Sequence, residues 1–427
     1  MKIETLHNYF LESTGVCTDT RRIVEGCLFF ALKGDNFNGN KFTQEALDKG
    51  ARFVIIDEIG YHKNTGETIL SSDSLKMLQK LATYHRLFLK LPIIALTGSN
   101  GKTTTKELIN AVLKQKFKTV ATQGNLNNHI GVPLTLLSMT RDTEMGIVEM
   151  GANNPNEIDQ LSGFVLPDFG YITNFGKAHL EGFGNINGVI KAKTELYRHL
   201  KKRDKLVFVN ANDPLQIKHS KELNRISFGD IDQDKYIQLL KSTNKLKVKF
   251  KNTSIQSNLI GNYNFSNIAA AIAIGDYFGI SIKNIKSAIE TYIPENNRSQ
   301  LLEIGTNKII LDAYNANPTS MLAALENFKQ AKGENKILFL GDMFELGSEA
   351  VNEHQYIASY IEENKIGLTY LIGENFYKIK SNSTHIHKFQ SFEELKDQIK
   401  ENPLVNSLIL IKASRGMALE RILDFLI

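Results

Sequence analysis

The stretch from Leu91 to Leu113, LPIIALTGSNGKTTTKELINAVL, constrains the fold of the whole chain more than any other. Ile93, Ile94, Ala95 and Leu96 form the short apolar run of a parallel strand buried on both faces, and Leu108, Ile109, Val112 and Leu113 then recur at helical spacing. The period therefore changes from strand to helix across Thr97 to Thr104. Gly98 and Gly101 let the backbone there approach a ligand closely, so the free N–H groups at the helix start, with the positive end of its dipole, face that ligand. Lys102 adds a mobile cation and Thr103 a hydroxyl suited to Mg²⁺, which together describe a triphosphate cradle. A Gly-rich turn that only caps a helix is the plainer alternative. It is disfavoured because strand, turn, Lys-Thr and helix occur in the required order, although only G-x-x-G-K-T of the full P-loop pattern is present and Leu96 stands where the first glycine would be.

At 427 residues the chain exceeds one compact core, and two to three domains are expected. Its 51 Lys+Arg against 46 Asp+Glu give +5, too scattered for a nucleic-acid surface; the densest run, Lys201 to Lys205, suits a solvated helix end. Cys17 and Cys27 lack a zinc or redox motif and read as free thiols of a reducing compartment. MKIETLHNYFLEST has no signal-peptide core and no apolar run reaches eighteen residues, so a cytoplasmic protein without membrane insertion is expected.

The pattern divides into three α/β units, at 1–88, 89–294 and 295–427, with hinges expected near 85–91 and 292–298. In the first, Cys27–Leu32 and Arg52–Asp57 read as strands and Thr43–Lys49 as a helix. Thr18, Asp19, Thr20 and Arg21 suit a phosphate and sugar, or equally a hydrogen-bonded turn. The second alternates strands at Lys118–Thr122, Met145–Met150, Asp168–Thr173 and Lys205–Asn210 with helices, implying a mostly parallel sheet covered by helices. Lys245–Phe250 alternates strictly and is expected as a half-buried antiparallel edge. The third carries strands at Lys308–Asp312, Lys336–Leu340, Thr369–Ile372 and Ser407–Ile411 and resembles a small doubly wound, Rossmann-like unit.

Open α/β sheets place their sites at the carboxyl ends of strands. Glu149 ends one such strand, His179 follows another by a short loop, and Lys193 lies on the helix behind it. A Glu there can hold Mg²⁺ beside the cradle threonine. Three polar loops of the third unit, DAYNANP (312–318), GDMFELG (341–347) and KASRGM (412–417), also follow strands, which suggests a unit that closes over a shared ligand.

TDTR (18–21), TGSNGKTTTKE (97–107), GNLNNHIGVP (124–133), VEMGAN (148–153), ITNFGKAHLEGFG (172–184), KAKTEL (191–196), DAYNANP, GDMFELG and KASRGMALE (412–420) together resemble the Mur ligase family over essentially the whole chain. The resemblance implies a three-domain α/β ligase that phosphorylates a carboxylate with ATP and lets an amine attack the acyl phosphate, releasing ADP and phosphate. Within the family the pairing of NLNNHIGVP with DAYNANP and GDMFELG implies UDP-MurNAc-tripeptide and D-Ala-D-Ala as substrates, and a monomer. The alternatives are another ligase of this family or a folylpolyglutamate-type ligase, and, from a different class, a P-loop switch.

By the same resemblance Gly98, Asn100, Gly101, Lys102, Thr103 and Thr104 would hold ATP. Asn264 and Asn267 would lie on the adenine side, and Arg298, Asp312, Tyr314, Asn315 and Asn317 around ribose, phosphates and the closing loop. Two Mg²⁺ ions are implied, with Thr103, Glu149, His179 and Lys193 as metal residues; Lys193, or else Lys191, would carry a CO₂-derived carbamate. Lys102, Lys193 and His179 would be catalytic. Thr18, Asp19, Thr20 and Arg21 would face the uridine diphosphate, Asn127, Asn128 and His129 the rest of that substrate, and Lys412, Ser414 and Arg415 the incoming dipeptide or the tripeptide end. Tyr263, Asn297 and Asn38-Gly39-Asn40 depart from the family pattern around the adenine and uridine.

Overall fold

The computed structural model describes residues 1–426 apart from 232, 241–244 and 296. Three sheets follow one another along the chain. The first has four parallel strands in the order Val16–Cys17, Leu28–Phe30, Phe53–Ile56, Thr68–Leu70. Leu28 to Phe30 and Val54 to Ile56 are all buried, which is why these two runs are legible as strands.

From that sheet the chain enters a helix, Ser74–Leu89, capped by Asp73, whose carboxylate accepts from Lys76 N at 2.9 Å. The last turn of this helix, inside the hinge expected at 85–91, is pinned to the central unit. Arg86 donates to Val165 O (2.9 Å), Leu166 O (3.1 Å) and Asp168 (2.8 Å), and His85 Nε2 meets Met139 O at 2.9 Å. A buried guanidinium needs such partners, and here they all lie beyond the supposed boundary. Part of the second expected hinge, residue 296, lies outside the described residues.

The central sheet has nine strands in the order Thr253–Gln256, Lys247–Phe250, Lys235–Leu240, Asn224–Gly229, Leu206–Asn210, Phe169–Ile172, Ile93–Thr97, Met145–Glu149, Thr119–Ala121. The last seven in this order are parallel; Lys247–Phe250 runs against them, and Thr253–Gln256, antiparallel to it, runs with them again. Lys247–Phe250 is therefore antiparallel, as its alternation implied, but it is not an edge, since Thr253–Gln256 pairs outside it. Alternation reports that one face is wet, with Val248 and Phe250 buried on the other; it carries no information about the flanks. Ile93–Thr97 is fully buried between its two parallel neighbours. The helix Lys102–Leu113 that follows packs against Phe265–Tyr277, where Ala269, Ala270, Ala271 and Ala273 allow close approach.

The third sheet runs Gln300–Ile304, Asn307–Asp312, Leu408–Lys412, Lys336–Gly341, Leu368–Ile372, Ile386–Phe389, parallel except for its first strand. Asp312 and Leu340 both lie level with Lys412 in the register. The three polar loops thus leave three adjacent strands at the same end of the sheet, so one ligand can meet all of them.

Candidate active site

Those loops and the cradle at Gly98–Thr104 face a common cavity of about 720 Å³. The cradle is shaped by two glycines. A Cβ on Gly98 (φ 147°) would lie 1.9 Å from Thr173 Oγ1, and one on Gly101 (φ 76°) would lie 2.6 Å from Asn267 Oδ1. The loop after Phe169–Ile172 braces the turn, with Asn100 N donating to Asn174 Oδ1 (3.0 Å) and Thr173 Oγ1 to Asn100 O (2.6 Å). Lys102 Nζ folds back over the turn onto Gly98 O (2.8 Å) and Ser99 O (3.2 Å). Desolvation lowers its pKa while Glu149 pulls in the opposite direction.

Glu149, 1% exposed, uses one carboxylate oxygen to accept from Asn127 Nδ2 at 2.8 Å. Its Oε2 is buried without a partner, an arrangement that favours a cation there. Thr103, also buried, lines the same cavity. Among the described residues no group of three or more His, Cys, Asp or Glu side chains is placed to hold a metal ion, so a metal in this cavity would depend on other oxygens as well.

Lys193 ends the helix Ile186–Lys193 and is 0% exposed; its Nζ donates to Ala152 O (3.2 Å) and sits 5.3 Å over the Phe183 ring. Burial, reinforced by Lys102, holds its pKa well below the ordinary lysine range. Lys191, two residues earlier, is exposed. His179 has φ 52° and precedes the short turn Leu180–Phe183, and its Nδ1 lies 2.5 Å from Glu345 Oε2, an ion-pair distance without hydrogen-bond alignment.

The third sheet contributes the opposite wall. Arg298 stacks 3.6 Å over the Tyr314 ring. Asp312 accepts from Ser299 N (3.1 Å) and from the buried Lys412 Nζ (2.5 Å), which also reaches Asn315 O (3.3 Å). Asn317 caps Pro318–Gln330 by accepting from Ser320 N (2.9 Å), and its amide reaches across to Asn100 Oδ1 at 2.7 Å. Ser414 Oγ accepts from Phe344 N (2.8 Å), and Arg415, at the rim, pairs with Glu420 (2.6 Å). Asn267 donates to Asn264 Oδ1 (2.7 Å) and accepts from Thr105 (3.0 Å), tying the helix Phe265–Tyr277 to the one that leaves the cradle.

Of the residues singled out from sequence, Asn100 to Thr104, Asn127 to His129, Glu149, His179, Asn264, Asn267, Arg298, Asp312, Tyr314, Asn315, Asn317, Lys412, Ser414 and Arg415 all line this cavity. Gly98 and Lys193 stand behind the lining. Thr18, Asp19, Thr20 and Arg21 lie outside it, where Asp19 accepts from Arg21 N (3.0 Å) and pairs with its guanidinium (2.7 Å). Sequence reasoning did not select Ser99, Asn174, Lys177 or Glu345 individually. Each lies inside a quoted motif, TGSNGKTTTKE, ITNFGKAHLEGFG or GDMFELG, in a loop at a strand end.

The fold and this cleft are those of an ATP-dependent ligase. Three family models match in order: "Mur ligase family, catalytic domain" over 12–86, "Mur ligase middle domain" over 96–275 and "Mur ligase, glutamate ligase domain" over 297–415. The chain is 36% identical to the UDP-N-acetylmuramoyl-tripeptide--D-alanyl-D-alanine ligase of Bacillus subtilis (strain 168), with 99% of this chain and 96% of that protein covered. Among solved structures it superposes on MurF from Acinetobacter baumannii with TM-score 0.87 at 29% identity, covering 100% of this chain and 98% of that one. It also superposes on MurF ligase from Thermotoga maritima in complex with ADP, with TM-score 0.86 at 26% identity, covering 98% and 97%. The chain belongs to the Mur ligase family.

Proposed function

We propose that this protein joins D-alanyl-D-alanine to the terminal carboxylate of UDP-MurNAc-tripeptide, using ATP and releasing ADP and phosphate, as a step of peptidoglycan precursor synthesis. The observation that carries the reading is the convergence, in one cleft, of the cradle, the half-satisfied Glu149 and the third-sheet loops, in a chain alike over its whole length to ligases of that name.

The chemistry must bring an anionic carboxylate to an anionic phosphate, so positioning and charge neutralisation dominate. The N–H groups of Gly98 to Thr104 and the Lys102 ammonium hold the ATP phosphates, with Asn264 and Asn267 toward the adenine and Arg298, Asp312, Tyr314, Asn315 and Asn317 toward ribose and phosphates. Mg²⁺, when bound, shields the phosphates and polarises the transferred group. Thr103 and Glu149 fit one ion, because Glu149 Oε2 lacks any other partner. A second would be held by His179 and by a carbamate on Lys193, which would form as the neutral amine adds CO₂ and loses a proton. A fully buried lysine with a lowered pKa is the type that can do so, and Lys193 is one, whereas Lys191 is exposed.

The division of labour is 1–88 for the uridine diphosphate, with Thr18, Asp19, Thr20 and Arg21 toward it, 89–294 for ATP, and 295–427 closing behind. Asn127, Asn128 and His129 meet the acceptor substrate, and Lys412, Ser414 and Arg415 the incoming dipeptide or the tripeptide end. The γ-phosphoryl passes to the carboxylate, the dipeptide amine attacks the acyl carbon, and phosphate leaves. No helix among the described residues is long and apolar enough to cross a membrane, which fits work in the cytoplasm. The test is phosphate release from ATP with Mg²⁺, expected only when UDP-MurNAc-tripeptide and D-Ala-D-Ala are both present. Turnover with ATP alone, or formation of AMP and pyrophosphate, overturns the proposal.

A further inference from the structure

One loop, Thr173 to His179, touches both walls of the cleft. On the cradle side Ser99 N donates to Asn174 O (3.1 Å) and Ser99 Oγ to Gly176 O (2.8 Å). On the third-sheet side Lys177 N donates to Thr319 Oγ1 (2.9 Å), in the first turn after DAYNANP. Gly176 is clamped between the two, since a Cβ there would lie 2.8 Å from Asn100 Nδ2 and 3.2 Å from Thr319 Cβ. Lys177 Nζ then reaches Glu353 Oε1 at 2.5 Å, on the helix Ala350–Asn364 that follows GDMFELG. The lysine is 51% exposed and the glutamate 8%, so the pair is closed to water from one side only.

We propose that Lys177 and Glu353 are a positioning pair for the ligation. They lock the helices that follow two third-sheet loops, through Thr319 and Glu353, onto the loop that braces the cradle, and so fix the distance over which the incoming amine attacks. Neither residue touches the reacting atoms. A nearly buried carboxylate makes the closed register specific, because any displacement of the third sheet separates it from the lysine. A half-exposed lysine keeps the lock reversible, so the cleft can open for product release. The proposal rests on the function above only for the choice of substrates.

The test compares Lys177→Met, Glu353→Gln and the exchanged double variant Lys177→Glu/Glu353→Lys. Each single change is expected to lower kcat/KM for D-Ala-D-Ala by about tenfold, as the loss of one partner of a partly buried pair does. The melting temperature should stay within a few degrees, and the exchanged pair should regain most of the loss. Small-angle scattering of the substrate-free proteins should show a larger radius of gyration in the singles and a return toward the parent in the double. Parental kcat/KM in both singles, an exchanged pair no better than either single, or unchanged scattering in the singles overturns the proposal. A parent enzyme inactive with these substrates would instead overturn the assigned reaction, and the scattering would still decide on the pair.

Discussion

The cradle at Gly98–Thr104 and the turn at Thr18–Arg21 are both short polar segments on α/β units, yet they treat their polar groups in opposite ways. Around the cradle, groups are buried and kept short of partners: Glu149 Oε2 and Asn100 Nδ2 have none, and Lys193 is sealed in with one carbonyl. In the turn, Asp19 is satisfied locally. Arg21 donates to it from its backbone and from its guanidinium, and that pairing lowers the Asp19 pKa to about 2, while Arg21 stays 86% exposed. Buried groups that few protein atoms satisfy, at the wall of a cleft, leave hydrogen-bonding and charge capacity for a ligand that enters it. A ligand at the turn must displace an existing pair in full competition with water, so the turn can add selectivity but little affinity.

This contrast predicts the largest losses behind the cradle. Lys193→Ala and Glu149→Gln should each lower ligation by ~10³-fold or more, the scale on which removing preorganised charge acts. Bicarbonate should restore activity to the parent enzyme after depletion of CO₂, and should not restore Lys193→Ala. Equal activity of Lys193→Ala and the parent would remove the carbamate and weaken the contrast at its strongest point. Gly98→Ala comes next, since its Cβ would lie 1.9 Å from Thr173 Oγ1 at φ 147°. It should cost about 2 kcal/mol or more in stability and weaken ATP binding, with Thr173→Ser giving no relief because the clashing oxygen remains.

The same contrast explains what the sequence made legible. Fully buried strands such as Ile93–Thr97 and Leu408–Lys412 are apolar up to their last residue and stand out as runs. Asn224–Gly229 and Gln300–Ile304 escaped notice because partly exposed, mixed residues fill them. The cradle was legible because its glycines and Lys-Thr answer a local need for close backbone approach. The links across the cleft, Asn317 to Asn100 and Lys177 to Glu353, join residues 217 and 176 positions apart, and no local period can encode such pairings. The helix Ser74–Leu89 shows the converse: its caps and period were local, but its role as the joint between two units lay in Arg86 and His85, whose partners are distant.

That joint gives the next effect. His85 Nε2 must donate to Met139 O, so its Nδ1 accepts from His7 Nε2 at 3.0 Å, and both rings are neutral. Desolvation, with His85 nearby, lowers the His7 pKa to about 4. Between the ordinary value of 6.5 and about 4 the unfolded chain therefore binds more protons than the folded one, so stability falls as pH falls through this window. The loss at the acid end is roughly 2–3 kcal/mol. Thermal melting of the parent and of His7→Gln from pH 7 to 4 should show a shallower decline in the variant. Parallel curves would mean that His7 does not carry the acid sensitivity.

The smallest effect falls on the turn itself. If Thr18–Arg21 faces the uridine diphosphate, Arg21→Ala should raise KM for UDP-MurNAc-tripeptide by about three- to tenfold at low salt, and less at high salt, because an exposed guanidinium is screened within a Debye length of ~10 Å at 0.1 M. KM for ATP should not move, since Arg21 lies outside the lining of the nucleotide cleft. Asp19→Asn separates the two roles that remain: it frees Arg21 from its partner, so a phosphate-binding Arg21 should grip the substrate as well as before or better. A turn kept only for its own hydrogen bonds would instead lose stability in Asp19→Asn, with the same KM in both variants. That result would leave the cradle and the cleft as they are and remove the turn from the proposed uridine contacts.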